Sequence, residues 1–223
     1  MTNQLIEETI AVSIPFNFPN MMHGFVFPQD VEGYLEPVEG AYLNLLARLS
    51  PPGVIVELGT YKGRSAICLA QAGPVYSVDH FQGERFENVT PEAVEAGSED
   101  ALGVHRDHYF GTYRPDTEAN LARYGVAERV HLLDMDSADA AEMFRLAGDR
   151  VALLFVDAAH HYNAVKRDYL AWKDLIAPGG AIAFHDRNFS GVARFLAELE
   201  NEEGWHREDG PEAIAVMYPP QEG

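Results

Sequence analysis

The sequence predicts a doubly wound α/β fold, a mostly parallel seven-stranded sheet with helices on both faces. Two observations carry that prediction. Short apolar runs alternate with amphipathic segments along the chain, the order expected of βαβ units. Charged or imidazole side chains also recur at the ends of those runs: Glu57, Asp79, Asp134, Asp136, Asp157, His160, His185 and Asp186. Apolar strands that each end in a charged group make a poor core and a good site, because ligands of such sheets gather at the strands' carboxyl ends.

Residues 1–36 read as an N-terminal arm or cover, with Pro, Phe, Asn and Met concentrated in 1–29. Val38 to Leu49 carries Tyr42, Leu45, Leu46 and Leu49 at helical spacing, and Pro51-Pro52-Gly53 stops it. Val54 to Leu58 is a buried strand, 63–72 a helix, and Val75 to Asp79 the next strand. Residues 81–113 show no clean period and are long for a connection. They hold Phe81, Phe86, Tyr109, Phe110 and Tyr113, with Arg85 and Arg106 as minority cations, and are expected to form a lid. Pro115 to Tyr124 reads as a helix with Pro at its start, and Val130 to Leu133 as a strand. Ala138 to Leu146 is a helix and Val151 to Val156 an apolar central strand. Tyr162 to Ile176 reads as a helix stopped by Pro178-Gly179-Gly180, with a strand from Ala181 to Phe184. A helix over Val192 to Leu199 precedes a hairpin of 205–207 with Ala213 to Met217. Residues 37–223 thus form one domain.

Composition narrows the function. With 35 acidic against 16 basic residues the formal charge is −19, which argues against a nucleic acid and for a small-molecule substrate. No apolar run is long enough to span a membrane, and Glu7 and Glu8 ahead of a short apolar stretch are not a signal peptide. The single cysteine, Cys68, lies on an apolar helix stripe, so a reducing, cytoplasmic setting is expected. Self-association is left open.

The most informative stretch is Val54-Ile-Val-Glu-Leu-Gly-Thr-Tyr-Lys-Gly-Arg-Ser65. A strand, a glycine turn and a helix bring bare backbone to a ligand at a helix N-terminus, and Asp79, ending the next strand, suits a ribose diol. A dinucleotide site would place a glycine where Glu57 stands, and that carboxylate would repel a pyrophosphate. A phosphate loop needs four residues between its glycines and a lysine; here there are three, and Arg64 follows Gly63. S-adenosylmethionine, with its ammonium and sulfonium, matches Glu57 by charge. A glycine turn without any ligand is the plainer alternative.

The Glu-x-Gly-x-x-x-Gly-x-Ser pattern resembles motif I of class I methyltransferases. Farther on, Asp157-Ala-Ala-His-His-Tyr162, Asp168, Pro178-Gly179-Gly180 and His185-Asp186 resemble the group with Asp-Gly-x-His-x-Tyr, Pro-Gly-Gly and His-Asp motifs. That group includes sugar O-methyltransferases of antibiotic biosynthesis and proteins close to cephalosporin hydroxylases, and its layout is related to catechol O-methyltransferase. The resemblance covers about residues 36–190.

The resemblance implies roles for these positions. Glu57, Gly59, Thr60 and Gly63 would hold the methionine part of S-adenosylmethionine, with Ser65 near its carboxylate. Asp79, with His80 beside it, would take the ribose hydroxyls, and Asp136 and Ser137 the adenine edge. Asp157 and Asp186 match metal-ligand positions, with Asn188 as a further candidate. Asp157 also counts among the cofactor contacts. His160 matches a general base, so His160 and Asp157 are the expected catalytic pair. Two departures bear on the metal: Ala158 replaces a glycine, and Arg187 stands where catechol-type enzymes place an asparagine. A guanidinium beside a cation is unfavourable unless it points away.

The chemistry is consistent with these residues. Methyl transfer from a sulfonium is an in-line displacement during which the acceptor hydroxyl loses its proton. A cation held by Asp157 and Asp186 would lower the acceptor's pKa, and oxygen ligands suit Mg²⁺ better than zinc. His160, at an ordinary imidazole pKa of about 6.5, would accept the proton, while His161 reads as a structural group at a helix start. The same fold also hosts proteins that bind this cofactor without methylating, or that only bind. The intact strand-end acids and His160 favour catalysis.

Overall fold

The computed structural model describes residues 24–82 and 112–220. Most of the expected arm (1–23) and the interior of the expected lid (83–111, with Arg85, Phe86, Arg106, Tyr109 and Phe110) lie outside the described residues.

The elements follow in the order α1 (Pro37–Leu49), β1 (Val54–Leu58), α2 (Arg64–Ala70), β2 (Val75–Asp79), α3 (Arg114–Arg123), β3 (Val130–Asp134), α4 (Ser137–Ala147), β4 (Val151–Val156), α5 (Tyr162–Trp172), β5 (Ile176–Phe184), α6 (Ser190–Glu202), β6 (His206–Asp209) and β7 (Ala215–Tyr218). The seven strands form one sheet in the order β3-β2-β1-β4-β5-β7-β6. The first five are parallel, and β7 joins β5 and β6 antiparallel. The winding reverses between β1 and β4, so the crevice beyond their carboxyl ends is where a ligand fits.

Strand alternation divides the core between the two faces. Val56, Leu58, Leu154, Val156, Ile182 and Phe184 pack under α4, α5 and α6, against Phe144, Trp172 and Phe195. Ile55, Leu153, Phe155, Ala181 and Ala183 pack on the other face under α1 and α2, against Leu43, Leu46, Ile67 and Leu69. Glu57 shares the register of Ile55 and therefore points into the second core, not into solvent.

One boundary differs from expectation. The helix expected over Tyr162–Ile176 ends at Trp172, a 3-10 turn covers Lys173–Leu175, and β5 already begins at Ile176. Pro178-Gly179-Gly180 is therefore a bulge within β5 rather than a helix stop. Val151 pairs with Ile176 and Leu153 with Ala181, so extra residues loop out between the two pairings.

Candidate functional site

The turns after β1 and β4 interlock. Gly59 has φ +87, and a Cβ on it would lie 2.1 Å from the Asp157 carbonyl oxygen, so only glycine fits. The Asp157 N–H donates to Leu58 O and the Gly59 N–H to Val78 O, both at 2.9 Å. The glycine turn is thus fixed directly against the strand end that carries Asp157.

Asp79 braces the same turn. Its Oδ2 accepts the N–H groups of Thr60 (2.8 Å) and Tyr61 (3.0 Å), and its Oδ1 accepts the Phe81 N–H (2.7 Å) and the Tyr113 hydroxyl (3.0 Å). Tyr61 and Phe81 both take positive φ, +46 and +53, a conformation these residues rarely adopt. Tyr113 also donates its N–H to Phe81 O, so the chain flanking 83–111 closes on itself beside Asp79. His80 is half exposed and accepts the Gln82 N–H.

Glu57 is fully buried. Its Oε2 accepts the Ser77 hydroxyl at 2.8 Å, and Oε1 has no hydrogen-bond partner among the described residues. Burial pushes this carboxyl up to about 8, against the opposing pull of the nearby Ser65 and Ser77 hydroxyls. The expected anion is therefore a neutral acid near pH 7 in this state. Arg64 gives three hydrogen bonds to the carbonyls of Val31, Gly33 and Leu35, which ties the segment before α1 to α2 and takes this guanidinium out of any phosphate role. Gly63 forms the N-cap of α2.

At the end of β3, Asp136 caps α4 through the Ala138 N–H (2.9 Å) and pairs with Arg167 at 3.2 Å. The Ser137 hydroxyl accepts the Trp172 indole N–H at 3.0 Å. Both sit at the N-terminus of α4, where an adenine edge was expected.

Asp157, His160 and Asp186 converge across the ends of β4 and β5, each offering a ligand atom within 4.8 Å of the others. His160 Nε2 lies 2.8 Å from Asp186 Oδ2 and 3.7 Å from Asp157 Oδ1. That nitrogen is buried, yet neither contact has hydrogen-bond alignment. An inward imidazole nitrogen without a directed partner, beside two carboxylates, fits a divalent cation. Asp186 itself has φ +52, a strained backbone at the site. Asn188 is exposed in the following turn. Arg187 points away, its guanidinium 2.9 Å from Asp209 on β6, which removes the expected conflict with a cation.

The charges correct one expectation. Burial disfavours the charged form of His160, but Asp157 and Asp186 outweigh it and raise the ring to about 10. His160 is therefore an imidazolium here, not the ready base of an isolated histidine. Burial would raise both Asp157 and Asp186, but the two imidazoles hold them below the usual carboxylate range.

Sequence reasoning missed three participants. Glu39, on α1, reaches His185 from outside the motifs; its only sequence signal is the Glu36-x-x-Glu39 capping pattern. Phe189 is partly exposed and its ring lies 5.1 Å from that of His160. Gly191 lets α6 approach the 160–162 turn, because a Cβ there would lie 2.2 Å from His160 O.

Comparison with known proteins agrees with this fold. Residues 56–187, more than half of the chain, match a family described as Methyltransferase domain. An uncharacterized protein of Sinorhizobium fredii, y4gI, is 28% identical over 159 residues; the match takes in 66% of this chain but only 15% of that protein. Among solved structures, the O-methyltransferase NovP is 14% identical, with 82% of this chain and 79% of NovP covered at a TM-score of 0.63. The O-methyltransferase from Bacillus cereus, in complex with SAH, is 17% identical, with 84% of each chain covered at 0.56. TomG from Streptomyces achromogenes, an O-methyltransferase of tomaymycin synthesis in complex with SAM, is 19% identical, with 86% and 83% covered at 0.56.

Proposed function

The chain belongs to the methyltransferase-domain family, and from that premise we propose that it moves the methyl group of S-adenosylmethionine to a hydroxyl oxygen of a small molecule, with a divalent cation at Asp157, His160 and Asp186. One observation carries this reading. The close approach of Gly59 to the Asp157 carbonyl joins the glycine turn to the carboxylate–imidazole group, so a cofactor and an acceptor would meet there. The solved structures of similar fold in complex with SAM and SAH support the choice of cofactor. The net charge of −19 supports a small acceptor over a nucleic acid.

S-adenosylmethionine, when bound, would supply a methyl group for in-line displacement by the acceptor oxygen, with its sulfur as the leaving atom. The glycine turn and Asp79 orient the cofactor, so that most of the gain comes from alignment. A bound cation supplies Lewis acidity to the acceptor hydroxyl. Asp157 and Asp186 hold their oxygens inward, and Phe189 offers an apolar wall next to His160. Where His160 holds the cation, the acceptor's proton would pass to solvent; without a cation, the ring would take that proton after giving up the one its carboxylate neighbours hold on it.

Calorimetric titration of the protein with S-adenosylhomocysteine, with and without Mg²⁺, tests the reading. Binding of S-adenosylhomocysteine is expected; NADH binding in its place would overturn the cofactor assignment.

A further inference from the structure

We propose that Glu39, on α1 and outside every motif of the sheet, is a positioning residue for the Asp157–Asp186 carboxylate pair, acting through the ring of His185. The inference rests on the cation-site reading above but concerns a different residue and a different link.

Among the described residues, two backbone N–H groups and one imidazole nitrogen face the Glu39 carboxylate. Oε1 accepts the Ala213 N–H at 2.8 Å, and Oε2 accepts the Glu36 N–H at 2.8 Å while lying 3.2 Å from His185 Nε2. Glu39 and His185 are both almost fully buried, with side chains 1% and 3% exposed. A capping box needs no such burial, and enclosing a carboxylate is costly unless its partners are fixed. The partner that a cap does not explain is His185, 146 positions away.

With Nε2 held by Glu39, the other nitrogen of His185 has one direction left. Nδ1 lies 3.2 Å from Asp157 Oδ1 and 3.3 Å from Asp186 Oδ2, without hydrogen-bond alignment to either, so the ring is wedged between the ends of β4 and β5. The edge of Phe155 packs against the same ring, with centroids 6.2 Å apart. Those two carboxylates repel each other, and Asp186 stands in a strained backbone conformation. A pinned imidazole between them keeps both oxygens turned toward His160. Groups that orient metal ligands in this way typically change metal affinity about 10- to 100-fold when removed.

The variant Glu39→Gln replaces one acceptor oxygen with a donor, and no orientation of the amide satisfies all three partners. In the 223-residue chain, Mn²⁺ binding followed by electron paramagnetic resonance should weaken about 10- to 100-fold in Glu39→Gln. Adding Glu39→Gln to His185→Asn should cost no further affinity, since the effect runs through that ring. Wild-type protein labelled at histidine nitrogen should show the His185 Nε2 proton, which faces Glu39, as a slowly exchanging resonance, a readout that does not depend on the variant's folding. Wild-type Mn²⁺ affinity in Glu39→Gln, additive losses in the double variant, or a fast-exchanging His185 Nε2 proton in the wild type would each overturn the proposal. Wild-type protein that binds no Mn²⁺ would overturn the cation reading instead, and that resonance would still decide whether Glu39 fixes His185.

Discussion

The Tyr113 hydroxyl donates to Asp79 Oδ1 at 3.0 Å and completes a set of four donors on one carboxylate, the others being the N–H groups of Thr60, Tyr61 and Phe81. A carboxylate offers about four acceptor positions, so a ribose diol bound at Asp79 would have to take the place of one of these donors. The three N–H groups are fixed by the backbone; the phenol is the one that can be displaced.

Tyr113→Phe should therefore tighten S-adenosylhomocysteine binding, by about 1 kcal/mol or three- to tenfold, because one competing hydrogen bond is gone. Asp79→Ala should weaken it at least tenfold, since the ribose partner and the brace on the turn are lost together. Calorimetry on both variants checks this. Weaker binding in Tyr113→Phe would mean that the phenol contacts the ligand rather than competes with it.

A second prediction follows from the charge on His160. Its pKa of about 10 means that a cation entering the Asp157–His160–Asp186 group at neutral pH must displace a proton. The proton competes with the metal, so apparent Mg²⁺ or Mn²⁺ affinity should rise about tenfold per pH unit between pH 6 and 9. Titration in buffers of different ionisation enthalpy should count about one proton released. Asp157→Asn and Asp186→Asn should abolish cation binding, and chelator should abolish turnover until Mg²⁺ is restored. Cation affinity that does not change with pH would mean that His160 is not a ligand.

The sheet was legible because its signals are local. Apolar runs such as Val151–Val156 and the strand-end acids are written in consecutive residues, and β1, β2 and β4 fall where the pattern put them. The end of α5 was misread because Pro178-Gly179-Gly180 signals a stop in either a helix or a strand, and only the pairing of Val151 with Ile176 shows that the strand had already begun. Asp157, His160 and Asp186 stood out as strand-end residues, but the state of His160 did not, because its pKa depends on carboxylates brought to it by folding. Glu39 was invisible for the same reason: a surface-type helix cap in the sequence is a buried partner of His185 in the fold.

Glu57 gives a pH dependence of stability with a definite sign. Its folded pKa is raised to about 8 from the ordinary 4.5, so the native state holds a proton that the unfolded chain releases. The associated stability is fully present below about pH 4.5, declines as pH rises through the interval, and is lost above about pH 8. The slope is about 1.4 kcal/mol per pH unit. Glu57→Gln, which keeps an acceptor for Ser77, should flatten this decline and be more stable than wild type at pH 8. Denaturant unfolding between pH 5 and 8 checks it, and parallel curves for the two proteins would show that Glu57 is ionised in the native state.

The last prediction separates the two halves of the site by their glycines. Gly59 has φ +87 and leaves no room for a Cβ, which would meet the Asp157 carbonyl oxygen at 2.1 Å. Gly59→Ala should therefore cost about 2–4 kcal/mol of stability and abolish S-adenosylhomocysteine binding, because it forces apart the turns after β1 and β4. Gly191 lies outside the left-handed region, so its demand is purely steric: a Cβ would meet His160 O at 2.2 Å and Tyr162 N at 2.6 Å. Gly191→Ala should push the 160–162 turn away from α6 and carry His160 off Asp186, while the glycine turn at 59–63 stays in place. Mn²⁺ affinity should then fall at least tenfold, with S-adenosylhomocysteine affinity within about threefold of wild type. Measuring both ligands on both variants gives a crossed pattern if the cofactor turn and the carboxylate–imidazole group are separately anchored. If Gly191→Ala loses both ligands together, the two halves instead move as one unit and the 160–162 turn also supports the cofactor.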